Sequence, residues 1–285
     1  MNKIRYIKIV IIGIIVLACF VFVMPRVNFP PVLSKYEIKS NKVPDEFDGF
    51  RIAQISDFHN ADFGNNNTSL LRLLVEAEPD IIVITGDMID SRRTDIDCAI
   101  HFTESVVKIA PTYYANGNHE SRLSESEYEQ MKTGFEKAGV IILEDDFVDI
   151  TVDNKNITLI GIIDQAFEGE RADDEMKHGV AHQLDEVVPQ NDNYKVLLAH
   201  RPEYFDVYAG RVDLVFSGHA HGGQIIVPFV GGIFAPGQGF FPQYYAGTHI
   251  KEDTEMVVSR GIGNSLFPIR INNRPEIIVA ELKNI

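Results

Sequence analysis

Five short, largely apolar runs punctuate the chain, and each stops at residues able to ligate a metal. Arg51-Ile52-Ala53-Gln54-Ile55-Ser56 leads into Asp57-Phe58-His59, Ile81-Ile82-Val83-Ile84 into Thr85-Gly86-Asp87, and Thr112-Tyr113-Tyr114-Ala115 into Asn116-Gly117-Asn118-His119-Glu120. Residues 195–199 lead to His200, and residues 212–216 to Ser217-Gly218-His219-Ala220-His221-Gly222-Gly223. Such runs read as buried strands. Helical spacing appears between them. Leu70, Leu71, Leu74, Val75 and Ala77 mark one helix, capped by Asn67 or Thr68 and ended by Pro79. Ile96, Ala99, Ile100, Thr103, Val106, Val107 and Ala110 mark a second, stopped by Pro111. In a third, Ser124 and Glu127 form a capping box, Tyr128, Met131, Phe135 and Ala138 face the core, and Gly139 is the stop.

Strand–helix alternation predicts a parallel α/β sheet in the first half. Ligands of such sheets bind beyond the carboxyl ends of the strands, where Asp57, His59, Asp87, Asn118 and His119 fall. The second half changes character. Residues 149–152 and 156–160 flank Asp153-Asn154-Lys155 as a hairpin, and residues 256–259 and 276–282 read as late strands. Together they predict a second, mixed sheet. Residues 168–185 are polar and read as a lid or an exposed helix, with His178 and His182 solvated. Residues 228–247 are rich in Gly, Pro and aromatics, and within them 229–245 fit either a lipid or membrane contact or an ordinary buried loop.

The N-terminus adds a different element. Lys3, Arg5 and Lys8 precede residues 9–24, which carry no charge. With Tyr6 and Ile7 added and Lys8 snorkelling, the run is long enough to span a bilayer. A cleaved signal peptide and a lipoprotein signal are the other readings, because Val16-Leu17-Ala18-Cys19 loosely resembles a lipobox. Phe20-Val21-Phe22-Val23 continues the run past the cysteine and favours an uncleaved single-pass anchor. The basic flank predicts an extracytoplasmic catalytic domain, against which Arg26, Lys35, Lys39 and Lys42 weigh. The organisation expected is thus an anchor or signal over 1–24, a linker and first extended segment over 25–48, and one domain over 49–285. A net charge of −15 argues against a nucleic-acid surface. With only Cys19 and Cys98 there is no disulfide framework and no cysteine zinc site, so a metal must be held by nitrogen and oxygen.

Each terminal cluster is unremarkable alone: Gly-Asp makes turns, Asn-His caps helices, and a lone His200 can be a core histidine. Their shared position at strand ends is what counts. In this order the chain resembles the calcineurin-like metallophosphoesterases, whose pattern is Asp-x-His, Gly-Asp, Gly-Asn-His-Asp/Glu, His and Gly-His-x-His. Here it reads Asp57-Phe58-His59, Gly86-Asp87, Gly117-Asn118-His119-Glu120, His200 and Gly218-His219-Ala220-His221. The resemblance implies an α/β fold of two packed mixed β-sheets flanked by helices. It also implies two divalent metal ions. Asp57, His59 and His221 would hold one, Asn118, His200 and His219 the other, and Asp87 would bridge them. His119 would face the substrate, as a proton donor or by stabilising the transition state. Manganese is the expected metal, with Fe, Zn, Co or Ni compatible with the ligand set.

Gly222-Gly223-Gln224, Val258-Ser259-Arg260-Gly261-Ile262-Gly263, Pro268-Ile269-Arg270 and the apolar N-terminus resemble the bacterial membrane-associated phosphodiesterases. Some of these hydrolyse the pyrophosphate of UDP-diacylglucosamine. The expectation is therefore a metallophosphoesterase cleaving a phosphodiester or pyrophosphate of a membrane- or envelope-related substrate. A nuclease or cyclic-nucleotide phosphodiesterase of the same fold is the nearest alternative, and a non-catalytic metal-binding scaffold the third. Arg260 and Arg270 are candidates for phosphate contact or for structural pairing, and His249 is open.

Overall fold

The computed structural model describes residues 30–64, 66–164, 173–264 and 269–285, with Lys8, Ile12 and Gly13. The apolar run 9–24 lies outside them except for Ile12 and Gly13. Among the described residues no helix is long and apolar enough to cross a membrane.

The chain runs β1 (Val32–Lys39), β2 (Arg51–Ile55), α1 (Thr68–Ala77), β3 (Ile81–Thr85), α2 (Ile96–Val106), β4 (Thr112–Ala115), α3 (Glu125–Ala138) and β5 (Ile141–Ile142). It continues through β6 (Asp146–Val152), β7 (Lys155–Gly161), α4 (Asp173–Val187), β8 (Tyr194–Leu198), α5 (Phe205–Tyr208) and β9 (Leu214–Ser217). Four two-residue strands follow: β10 (Ile226–Val227), β11 (Gly231–Gly232), β12 (Phe234–Ala235) and β13 (Gly239–Phe240). The chain closes with β14 (Gly247–Lys251), β15 (Thr254–Val258) and β16 (Glu276–Lys283).

Local signals and observed ends agree closely at α3. Glu127 N donates to Ser124 Oγ and Ser124 N to Glu127 Oε2, completing the capping box, and Gly139 takes φ 103° at the stop. At α1 the outcome differs. Asn67 occupies the cap position with φ 59°, but its amide accepts from Phe63 N and donates to Ala61 O, so it organises the preceding loop. Residues 173–187 of the polar stretch form a helix that covers the second sheet. Met176, Val180, Leu184 and Val187 recur at helical spacing and are buried against it, while His178 and His182 stay exposed.

The two sheets are β1-β16-β2-β3-β4-β5 and β14-β15-β9-β8-β7-β6. Strands β2 to β5 are parallel, as are β7, β8, β9 and β15. Two expectations are corrected here. The first sheet is not purely parallel, because β16 runs antiparallel to β2. The late strand over 276–282 also belongs to this sheet and not to the second. The cause is two-sided burial: Ile277 and Val279 pack under the helices, while Ile278, Ala280 and Leu282 pack between the sheets. A strand apolar on both faces needs an interior position. β1, with its exposed outer residues, takes the edge beside it. Between the sheets, Ile52, Val83 and Ile278 share one core with Leu159, Val196, Leu214 and Val257. Helices α1 to α3 cover the outer face of the first sheet, and α4 and α5 that of the second. This four-layer packing sets the carboxyl ends of β2, β3, β4, β8 and β9 side by side.

Ile278→Ala should cost about 2–5 kcal/mol in urea unfolding, as expected for a large-to-small change in a closed core. Val75→Ala, on the exposed side of α1, should stay within about 0.5 kcal/mol.

Candidate metal centre

At three of the five strand ends, those of β2, β3 and β9, the backbone turns sharply. Asp57 (φ 51°), His59 (47°), Asp87 (55°), His219 (63°) and His221 (47°) all sit in the left-handed region, although none is glycine. Such conformations cost on the order of 1–3 kcal/mol each and persist only where the surroundings enforce them. Here the loops are bonded to one another. Asp57 N donates to Gly86 O at 3.0 Å, His59 N to Asp87 O at 3.0 Å, and Gly218 N to His200 O at 2.9 Å. Two glycines make the approach feasible. A Cβ on Gly86 would lie 2.5 Å from Gly117 Cα, and one on Gly218 would collide with Ser56 Oγ and Asp57 Oδ2.

All seven residues expected as ligands are buried and converge. One ligand atom each from Asp57, His59, Asp87 and His221 lies within 4.8 Å of the others, and the same holds for Asp87, His200 and His219. Asp87 belongs to both groups. His59 Nε2 is 3.2 Å from His221 Nε2, and His221 Nε2 is 3.4 Å from Asp57 Oδ1. In the second group His200 Nε2 lies 3.2 Å from Asp87 Oδ2, Asn118 Oδ1 and His219 Nδ1.

The outer hydrogen bonds decide which ring nitrogen faces the centre. A carbonyl can only accept, so His59 Nδ1 donates to Ile89 O (3.2 Å) and His200 Nδ1 to Thr85 O (2.7 Å). Both rings therefore turn Nε2 inward, as a metal-ligating imidazole does. Burial holds His59 down to about 3, and His219 and His221 well below the usual histidine range, so these rings are neutral donors. Burial would likewise lower His200, but Asp87 beside it outweighs this and pushes it up to about 10. Burial would raise Asp87, yet His200 holds it well below the usual carboxylate range. Asp57 is pushed up to about 6 by burial. Converging carboxylates and imidazoles with no cysteine among them fit a pair of borderline divalent cations.

His119 is not among the ligand atoms. Its Nδ1 accepts from Ser91 N at 3.0 Å, which leaves the ring proton on Nε2. Its backbone N donates to Asp87 Oδ1 at 2.8 Å, and its ring meets His59 edge-on at 4.5 Å. Burial lowers it from the usual histidine value. The ring is thus a neutral N–H donor beside the cluster.

Several contributors escape a reading of the sequence. Glu120, present in the motif but without an assigned role, accepts from Asp87 N (2.9 Å), Met88 N (2.7 Å) and Gly117 N (2.8 Å) and ties the loops after β3 and β4 together. Glu203 carried no signal beyond its place three residues after His200. Its two carboxylate oxygens are buried without a hydrogen-bond partner among the described residues, Arg201 Nη1 stands 3.6 Å from Oε1, and burial pushes the carboxyl up to about 7. Its Oε1 stands 3.7 Å from His219 Nε2, itself unpartnered, so the carboxyl backs the ring whose Nδ1 faces the centre.

Arg270 and Arg260 resolve as structural residues. Arg270 is 1% exposed, donates to Arg260 O (2.6 Å) and Asn264 Oδ1 (2.9 Å), lies 3.4 Å from His221 Nδ1, and is pushed down to about 10 by burial. Arg260 pairs with Glu276 and reaches Ser34 Oγ at 3.3 Å. His249 bonds Ala246 O and packs on Tyr244.

The family model for calcineurin-like phosphoesterases matches residues 50–223. The chain is 29% identical over 263 residues to the uncharacterized metallophosphoesterase YkuE of Bacillus subtilis, covering 88% of this chain and 85% of that one. It is 27% identical over 253 residues to the phosphodiesterase YaeI of Escherichia coli, covering 86% and 84%. Among solved structures, TT1561 of Thermus thermophilus superposes with a TM-score of 0.51 at 12% identity, covering 74% of this chain and 89% of that one, a likeness of fold.

Metal binding should expel the Nε2 proton of His200. Adding Mn²⁺ to metal-free protein near pH 7 in weak buffer should release roughly one proton, and apparent affinity should rise with pH through the neutral range. An indicator dye reads the release, and no release would show that His200 is neutral beforehand. Glu203→Met should weaken Mn²⁺ binding by about 10–100-fold, as losing a residue that orients a ligand does. Unchanged affinity in a metal titration would reduce Glu203 to packing.

Proposed function

Because the chain belongs to the calcineurin-like phosphoesterase family, we propose that it hydrolyses a phosphodiester or pyrophosphate bond of a membrane- or envelope-related substrate. The observation that carries the reading is the reach of one carboxylate. Asp87 Oδ2 stands 3.6 Å from His59 Nε2 and 3.2 Å from His200 Nε2, so it touches both nitrogen clusters. On this reading Asp57, His59, His221 and Asp87 would hold one cation, and Asn118, His200, His219 and Asp87 the other. Manganese is the proposed occupant. Bound there, two divalent cations supply Lewis-acid polarisation of the phosphoryl oxygens and acidify water near neutral pH.

The protein's own groups do the rest. Asp87 and Asp57 carry the negative charge of the cluster, while the imidazoles and Asn118 add donors without further charge, leaving the site attractive to a phosphate. Ser91 N keeps the His119 proton on Nε2, where it is available to the leaving oxygen. Glu120 acts one step away, holding the loops that carry Asp87 and Asn118 in register. The diester preference draws support from the name of the Escherichia coli relative, a phosphodiesterase. The apolar run over 9–24 supports a single-pass anchor, the basic flank of Lys3, Arg5 and Lys8 supports a domain outside the cytoplasm, and the charge of −15 disfavours a nuclease.

Purified protein loaded with Mn²⁺ should turn over an aryl phosphodiester, and a chelator should abolish this reversibly. Asp87→Asn should lose activity while still folding, with a cooperative unfolding transition at lower stability because His200 loses its partner; near-wild-type turnover would refute the shared-carboxylate assignment. His119→Ala should keep its metal content but lose about 10²–10⁴-fold in kcat. Loss of metal in that variant would mean that His119 is a ligand.

A further inference from the structure

The loop after His221 carries a surface that hydrolysis does not use. It folds into two short hairpins, β10–β11 and β12–β13. At the tip of the first, Phe229 is 109% exposed and Val230 is also exposed. In the second, Phe240 is 73% exposed, with Phe234 packed edge-on against it and Phe241 exposed beside it. Five exposed apolar side chains within residues 229–241 make a patch of the kind that marks an interaction site. The hairpins are bonded directly to the turn that follows the double-histidine motif. Ile233 N donates to Gly223 O (3.1 Å) and Ile225 O (3.0 Å), and Phe241 N to Ile233 O (2.8 Å). The hairpins that carry the patch are therefore fastened at Gly223, two residues from His221.

The position of the chain's entry into the fold identifies what meets this patch. Arg274 donates to Pro30 O at 3.3 and 3.1 Å. Its neighbours bind the hairpin base. Asn273 Nδ2 donates to His221 O (2.7 Å) and Gln224 O (3.2 Å), Asn272 Nδ2 to Ile226 O (3.2 Å), and Ile226 N to Ile271 O (2.9 Å). Pro30 is thus pinned to the same end of the molecule as the hairpins and the strand ends. The uncharged run over 9–24 ends six positions upstream, which allows at most roughly 20 Å of extended chain. If that run lies in a bilayer, the face that must lie close to the lipid is the one bearing the hairpins. A net charge of −15 disfavours general electrostatic adsorption, and the exposed side chains of the hairpins supply an apolar means of attachment.

We propose that the paired hairpins of residues 226–241 dock into the interfacial layer of a lipid bilayer and turn the mouth of the metal centre toward that surface. This extends the membrane reading of residues 9–24 and is independent of which ester is cleaved. It supplies a second, weak point of attachment that fixes orientation, where a single tether would leave the domain free to rotate.

The chain contains no tryptophan, so one substitution makes a clean reporter. Full-length Phe229→Trp, Phe240→Trp and Val75→Trp would each be reconstituted into phosphatidylcholine vesicles with or without lipids brominated on the acyl chain. Val75 is exposed on α1 near its junction with β3, at the end of the sheet away from the strand carboxyl ends, and serves as the control. Emission at positions 229 and 240 should shift to the blue and be quenched severalfold more by brominated lipid than at position 75. Quenching at only one hairpin supports docking through that hairpin. Quenching at neither, or equal quenching at position 75, overturns the proposal. A blue shift that needs protein concentration and not lipid makes the patch a self-association surface and overturns it as well. Turnover of a soluble aryl diester by the same variants reports the catalytic reading separately, so its failure is distinguishable from a failure to dock.

Discussion

One buried carboxylate governs this structure. Asp87 is withdrawn from water at the end of β3 and is matched by His200, 3.2 Å away, and by the backbone N–H of His119. An uncompensated charge at that depth would be very costly, so its partners must arrive together from separate strands. β3 belongs to the first sheet and β8 to the second. The contact between Asp87 and His200 therefore requires that the two sheets be packed face to face, with their carboxyl ends level. The inter-sheet core of Ile52, Val83, Ile278, Leu159 and Val196 provides that packing. The site is in this sense a property of the interface between the layers.

The same constraint explains the distribution of strain. Five of the seven converging residues hold left-handed backbone conformations. A straight exit from each strand would carry the side chains past one another into solvent. Turning the chain there aims them inward, and Glu120 and the loop-to-loop bonds hold the turns. Glu203, Asp57 and Glu120 are all pushed up by burial. The centre thus concentrates negative groups in a volume that resists them, which is the electrostatic condition for high affinity toward cations.

Function also places demands on the outer surface. The hairpins after β9 are fastened to the turn that carries His221, and the strip before β16 links them to the point where the chain enters the fold. β16 itself, last in sequence, lies between β1 and β2. The end of the chain therefore closes the first sheet, and its approach, through Arg270 and Asn273, buttresses the loops beside the centre.

Local chemistry was enough to place most of the elements and all the converging side chains. Apolar runs bounded by Gly, Asp and His marked β2, β3, β4, β8 and β9 within a residue or two, and the box at Ser124 and the glycine at 139 marked both ends of α3. These signals are short-range: they depend on backbone preference and on which side chains tolerate water. Four features depended on contacts distant in sequence and only the tertiary structure decided them. β16 entered the first sheet because both its faces needed burial. Asn67 spent its amide on the preceding loop instead of the helix. Arg270 was drawn inward to bind the carbonyls of a loop. Glu203 became significant only because folding set it behind His219, a relation between positions 203 and 219 that exists in space and has no periodicity or motif to announce it.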